Sequence, residues 1–588
     1  MSYRAPVAEM AFALRHVAGL DAAIASGALG DLTMEDAEAI LHEAGRVADS
    51  VIAPLNTVGD RHGTPLRDGA ITTAPGWQAA YRTWTEGGWN GLSAEPEYGG
   101  QGLPLMLNAA CTEMWNAASI AFGLCPLLTA GGIEALAKHG SDDLKSRYLA
   151  KLISGEWTAT MNLTEPQAGS DLSLLRSRAE PAGDGSYRIV GSKIYITYGE
   201  HDLTDNIVHL VLARLKDAPA GTRGISLFLV PKFLPDGSRN DLRCSGIEHK
   251  LGIHGSPTCS MAFGDRGGAT GWLIGEENRG LACMFTMMNS ARLNVGLQGV
   301  GVAERAYQAA LAYARDRRQG RAAGSAEATS PIVEHADVQR MLLTMKAYTA
   351  AARGICYLTA EGLDASHGAE GKAGLDRASL LTPVAKAFST DIANEVTSLG
   401  VQVHGGMGFV EETGAAQHMR DARILAIYEG TNGIQAIDLV ARKLPLNGGA
   451  TVQAQIAAMR RVTEGLLKDA SPAFGHTAAR LRAAIESLDR ATAFQLKALG
   501  SNRPDAALAG ATPYLRLFGL AQGGACLAKA ALASSAALKA GETDPAHAAR
   551  IVLARFFAEN LLTAAGGLEE SVIDGGAFTQ DAALALAG

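Results

Sequence analysis

Charged residues make up only 19% of this 588-residue chain and aromatics only 6%. No basic excess is present: 52 Lys and Arg against 60 Asp and Glu leave a net of −8, the wrong sign for a broad nucleic-acid surface. Cysteine is scarce and odd in number, at Cys111, Cys125, Cys244, Cys259, Cys283, Cys356 and Cys526, with no CxxC pair. That argues against a disulfide framework and against a structural metal site, and it fits a reducing, cytoplasmic setting. No secretory pattern opens the chain, because Glu9 and Arg15 interrupt its first apolar run. One uncharged stretch, residues 114–133, is long enough to consider as a membrane span. Asn116, Ser119, Pro126 and Thr129 punctuate it, so the pattern predicts two buried helix segments joined at residues 124–126 rather than a span. What is abundant is apolar side chain, at 47%, enough for large cores in several domains.

Texture divides the chain into four tracts. Residues 1–157 read as helical: Ala37, Ile40, Leu41, Ala44 and Val47 keep helical spacing, Thr33 with Asp36 offers a start signal, and Pro54 is expected to end the helix. Residues 158–278 change to strand runs bounded by Gly and Pro. These include an alternation either side of an expected turn at Gly191, which predicts an antiparallel, barrel-like middle domain. In residues 279–445 helix returns. Met284 through Ala306 mark one very long helix reaching about Arg317, which needs partners along several faces and predicts a four-helix bundle. Residues 446–588 are Ala-rich helix after a Pro–Asn–Gly–Gly break. Their 13 Lys and Arg against 12 Asp and Glu make neither a basic arm nor an acidic tail. The fold class is mainly α with a β middle domain and an extra C-terminal helical domain.

Three short motifs carry the chemistry. In IYEGTNGIQ (427–435), Glu429 follows an apolar run and precedes a helix expected over 433–444. A carboxyl buried there is a stronger base for a weakly acidic C–H; the alternative reading is a helix-start acid favoured by the dipole. In MNLTEPQAGSDL (161–172), Gly169 and Ser170 can offer N–H groups and a hydroxyl to phosphate, and Thr164 can bond a planar heterocycle; the same residues also make ordinary turns. In GVQVHGGMGF (400–409), paired glycines allow close approach of a ligand. Neither this nor Gly299–Val300–Gly301, which has Glu304 in the third place, is a dinucleotide fingerprint of the nicotinamide type.

Taken together and in this order, the three motifs resemble those of the acyl-CoA dehydrogenase family over roughly residues 35–445. The C-terminal tract, Tyr3-x-Ala5-Pro6, the segment 252–258 and the run from Met287 to Arg292 resemble a longer branch of it. The resemblance implies FAD, an acyl-CoA substrate and a trans-2-enoyl-CoA product. Glu429 matches the base that removes the α-proton while flavin N5 takes a hydride from the β-carbon. Its own N–H and a flavin ribityl hydroxyl hold the thioester carbonyl, which stabilises enolate-like charge. For the cofactor, the resemblance assigns Met161, Leu163, Thr164, Ser170, Tyr195, Thr197 and Thr431 to the near subunit. Tyr195 stands where many relatives have tryptophan. Arg317, Gln319, Gln402, Gly405 and Gly406 match positions that reach the FAD of a neighbouring subunit, which implies a homodimer, with a homotetramer as the alternative. Ser170, Asn289, Arg292, Tyr428 and Gly430 match substrate contacts, Asn289 replacing an acidic residue of medium-chain relatives. The electron acceptor implied is electron-transferring flavoprotein, and the substrates implied are 3-(methylthio)propanoyl-CoA or a short linear acyl-CoA. An oxygen-using oxidase and a redox-inactive nucleic-acid-binding relative share the fold and remain alternatives.

Overall fold

A computed structural model describes residues 3–368, 370–501 and 504–587, without the side chains of Asn289 and Gln580. The N-terminal tract is helical. Helix α1 (Met34–Val47) starts on a capping box in which the Thr33 hydroxyl accepts from the Asp36 N–H and the Asp36 carboxylate accepts from the Thr33 N–H. Pro54 stands where the first helical run ends, as expected: that run stops at Ile52 and the next helix starts at Leu55. It sits at helical angles as the N-cap of Leu55–His62, where a missing N–H costs nothing. Helices α2 (Leu105–Ala118) and α3 (Ile120–His139) meet at Ser119 and not at residues 124–126. Ser119 is extended, its hydroxyl accepts from the Phe122 N–H, and Pro126 is carried inside α3. Helix α4 (Asp142–Ser154) leads into the sheet.

The middle tract contains strands β1 (Trp157–Asn162), β2 (Arg178–Pro181), β3 (Tyr187–Thr197), β4 (Asn206–Leu215), β5 (Ile225–Pro231), β6 (Leu242–Ile247), β7 (Thr258–Phe263) and β8 (Ala269–Ile274). Pairing runs β8–β5–β4–β2–β3, and β8 also pairs with β3, so five strands close a ring. The ring is not wholly antiparallel: β1 and β2 both run parallel to β4. Gly191 makes no turn, since β3 continues through it. A Cβ there would lie 2.3 Å from the Ser177 hydroxyl, so glycine serves the close approach of the neighbouring strand.

Helices α5 (Gly280–Asp316), α6 (Ala336–Ser366) and α7 (Lys372–His404) pack lengthwise, and α2 closes the bundle against α5 and α6. Gly299 and Gly301 are packing residues: Cβ atoms there would meet the Ser389 carbonyl and the Ala117 amide at 2.7 Å. Beyond a short helix, α8 (Asn432–Asp438), come α9 (Ala450–Asp469), α10 (Thr477–Leu499), α11 (Ala511–Lys539) and α12 (Pro545–Asn560). They share the bundle's apolar core, because α11 lies against α6 and α7, with Gly519 under the Phe388 ring and Gly523 against Ala351. Among the described residues, three segments are long and apolar enough to cross a membrane by length and composition alone: Ile120–His139, Ala511–Lys539 and Pro545–Ile573. The first two bury 78% and 83% of their apolar windows inside the protein, the third 39%.

Candidate active site

The segment after β1 is held from beneath. Glu165 is buried and accepts hydrogen bonds from the Arg176 N–H (2.7 Å), the Ser177 N–H (3.0 Å) and hydroxyl (2.6 Å), and the Gln167 amide (2.7 Å). It also pairs with the buried Lys193 ammonium at 2.9 Å, which donates a second bond to the Leu163 carbonyl. Burial would raise the Glu165 carboxyl, but Lys193 and these donors overcome it and hold it down to about 2. Anchored this way, the loop leaves Thr164 half-buried and Ser170 exposed. The Thr164 carbonyl accepts from the Ile194 N–H at 2.9 Å, which brings Tyr195 next to it. Tyr195 sits at a bulge between Lys193 and Ile196 with φ 60°, and this backbone turn leaves its ring 60% exposed. Thr197 lies two residues on and is half-buried. The Met161 side chain is buried in a core that also holds Met284, Met287 and Ala291, with Leu163 packed against it. That core ties the end of β1 to the first turns of α5.

Arg292 follows Ala291 on α5. It is buried, with Nη1 3.6 Å from the Asp438 carboxylate of α8, and a Cβ on Gly430 would lie 3.9 Å from its Nη2. It thus reaches the junction that holds Glu429. Glu429 has φ 54°, a left-handed backbone that costs a non-glycine residue about 1–3 kcal/mol unless its surroundings enforce it. The surroundings do so. The Tyr428 hydroxyl donates to Gln298, whose amide donates to Asn116 at 3.0 Å. The Gln435 amide donates to the Glu429 carbonyl at 3.3 Å, and a Cβ on Gly430 would collide with that same amide. Thr431 caps α8 by accepting from the Ile434 N–H, and Asn432 is bonded into α7. Burial pushes the Glu429 carboxyl above its ordinary range; the positive charges of Arg292 and Lys386 oppose the push without cancelling it.

A third group gathers at the far ends of α5 and α7. Tyr313 and His404 stack with centroids 4.5 Å apart, which joins the two helix ends. Arg317 and Gln319 follow one helix, bonded to each other at 3.3 Å, while Gln402, Gly405 and Gly406 end the other, and all five are exposed. Asn289 lies outside the described residues as far as its side chain is concerned. Among the described residues, no group of three or more His, Cys, Asp and Glu is placed to hold a metal ion. Neither Lys386 nor Gln298 is among the residues read from the sequence, and Asn432 stands inside the 427–435 motif without an assigned role. The signal for Lys386 was there, a single lysine inside the apolar run of residues 380–388.

Profiles of the acyl-CoA dehydrogenase N-terminal, middle and C-terminal domains match residues 34–156, 160–265 and 278–444, and an acetyl-CoA dehydrogenase C-terminal-like profile matches 450–582. The 3-methylmercaptopropionyl-CoA dehydrogenase of Ruegeria pomeroyi is 48% identical over 585 residues, covering 98% of this chain and 99% of that protein. The chain belongs to the acyl-CoA dehydrogenase family. ACDH-11 of Caenorhabditis elegans, in complex with C11-CoA, shares the fold of this acyl-CoA dehydrogenase with a TM-score of 0.77 at 20% identity, over 95% of this chain and 92% of that one. A chain in the structure of the electron transferring flavoprotein of Acidaminococcus fermentans is 28% identical with a TM-score of 0.59, over 70% of this chain and 98% of that one. The family resemblance, the mainly helical fold with a β middle domain and the dehydrogenase class expected from the sequence therefore hold.

Proposed function

We propose that this acyl-CoA dehydrogenase uses FAD and acts on 3-methylmercaptopropionyl-CoA or a short linear acyl-CoA. Glu429 is then the base, and electron-transferring flavoprotein is the acceptor. The observation that carries the base assignment is a carboxyl held at φ 54°, raised by burial and flanked by two buried cations. The substrate class rests on the near full-length likeness to the Ruegeria enzyme, and the acceptor on the likeness to a chain of the Acidaminococcus flavoprotein structure.

The residues present fit a flavin dinucleotide. Thr164 and the outward ring of Tyr195 offer a polar edge beside a flat wall, Ser170 adds an exposed hydroxyl, and Gly405 and Gly406 have open space where a Cβ would stand. Thr164, Ser170, Tyr195, Thr197 and Thr431 would hold it from one subunit, with the backbone of Met161 and Leu163 behind. Arg317, Gln319, Gln402, Gly405 and Gly406 would hold it from a second copy. When bound, FAD supplies the two-electron acceptor for the β-hydride. The chain's own work is at the α-carbon. The raised Glu429 carboxyl has more driving force to take that proton than a solvated carboxylate. The buried cations favour its ionised form, and Tyr428, Gln435 and Asn432 keep its backbone N–H in place for the thioester carbonyl. Arg292 and Gly430 complete the substrate contacts.

A homodimer is part of the same reading. Phe409 is 90% exposed, and Met407 and Val410 beside it are also exposed, an apolar patch next to the paired glycines that a second copy would cover. The α9–α12 region covers faces of α6 and α7 that a further copy would otherwise meet, which favours the dimer over a tetramer. A cytoplasmic location accords with seven unpaired cysteines, all buried.

Anaerobic titration of the purified protein with acyl-CoAs of graded chain length, including 3-methylmercaptopropionyl-CoA, tests the reading. Bleaching of the flavin by a short or thioether-bearing thioester is expected, with reoxidation by electron-transferring flavoprotein faster than by oxygen. A yellow protein that no acyl-CoA bleaches would overturn it.

A further inference from the structure

Lys386 lies in the middle of α7 with its side chain 0% exposed. A buried ammonium costs several kcal/mol unless charge and hydrogen bonds offset it, so a lysine that only filled space would be better replaced by an apolar residue. Its direct contact is with a neutral amide: Nζ donates to Asn432 Oδ1 at 2.8 Å. Asn432 is the first residue of α8, three places after Glu429. Its own amide donates to the Asp391 carboxylate (2.6 Å) and the Ala387 carbonyl (3.2 Å), both on α7. Asn432 therefore clamps the turn that carries Glu429 onto one face of α7, and Lys386 sits under the clamp.

We propose that Lys386 is a positioning residue for the base: held by Asn432 beneath the turn that carries Glu429, its buried ammonium sets a positive charge behind the carboxylate that takes the α-proton. The inference rests on the assignment of Glu429 as base. The groups that face Lys386 are Glu429 from the junction, Asp391 on its own helix and Arg292 from α5. Asp391 in turn feels Arg516 of α11 and Glu395, and Arg292 feels Asp438 and Arg442. Burial brings the Lys386 amine down to about 7, against the pull of Glu429 and Asp391. The amine is thus charged on the acid side of neutrality.

The test uses the FAD-loaded enzyme and Lys386→Gln, which keeps a hydrogen bond to Asn432 without the charge, alongside Lys386→Met and Lys386→Arg. The acid limb of the pH profile for flavin reduction should move up by about one unit in the Gln and Met variants, a loss of about tenfold below the limb that disappears at high pH. Arginine should restore the wild-type midpoint. An isotope-edited infrared titration of the Glu429 carboxyl, without acyl-CoA, should show the same displacement independently of turnover. A midpoint that stays put while the rate falls equally at every pH would reduce Lys386 to a packing role and overturn the proposal. Glu429→Gln, run in parallel, separates the two ideas: if it still reduces flavin at the wild-type rate, the base assignment fails and the proposal falls with it.

Discussion

Glu165 and Lys193 form an ion pair 2.9 Å long with both side chains almost wholly withdrawn from water, directly beneath the loop that carries Thr164. The pair is what makes a Thr–Glu–Pro turn into a rigid shelf. Replacing Glu165 with Ala leaves Lys193 buried and unpaired, and a loss of about 3–5 kcal/mol is expected, read as a lower melting temperature. The carboxyl is held at about 2, so its contribution is present above the ordinary Glu value and fades as pH falls toward 2. Lys193, lowered by burial to about 8, is still protonated at neutral pH. A variant as stable as the wild type at every pH from 7 down to 3 would contradict this account.

Glu429→Gln should retain FAD and bind acyl-CoA while slowing the reductive half-reaction by about 10²–10⁴-fold, the usual contribution of a positioned base. Stopped-flow bleaching under anaerobic conditions gives the rate. Bleaching at near wild-type speed would remove Glu429 from the mechanism.

The wild-type rate of flavin reduction should rise with pH, because burial makes Glu429 hold its proton more tightly than a solvated glutamate and the base works only once that proton is gone. The midpoint of the limb is expected above the ordinary value of about 4.3. A midpoint at or below that ordinary value is the contrary result.

Arg317→Ala should lower flavin retention and dimer stability together, since Arg317 and its partner Gln319 stand exposed at the helix end that would meet a second copy. Ultracentrifugation combined with the flavin-to-protein absorbance ratio measures both. Full occupancy in an unchanged dimer would contradict a cofactor shared between subunits.

Gly519→Ala places a methyl 2.2 Å from the Phe388 ring, which must shift to accept it. Overpacking of this kind costs about 1–3 kcal/mol. Calorimetry should show the α9–α12 region and the bundle melting together at a lower temperature, because they share one core.

Much of this protein was legible in the sequence because the signals are local. The capping box at Thr33, the length of α5 and its end at Arg317 follow from spacing and breaker residues that act within a few positions. The three motifs survive as short strings because their backbones must hold particular conformations whatever surrounds them. Local reading failed where a distant chain segment decided the outcome. Gly191 looks like a turn but is a contact with Ser177. Pro126 looks like a break, but the break is at Ser119. The parallel pairing of β1 and β2 with β4 depends on connections that no run of residues displays. The order and identity of the chemical groups, and with them the family, are written in the chain itself. The raised Glu429 carboxyl, the shelf on Glu165 and Lys193, and the placing of Lys386 beneath Asn432 came only from tertiary structure. Burial and charge at those sites are set by residues that lie far apart in sequence and meet only once the helices pack.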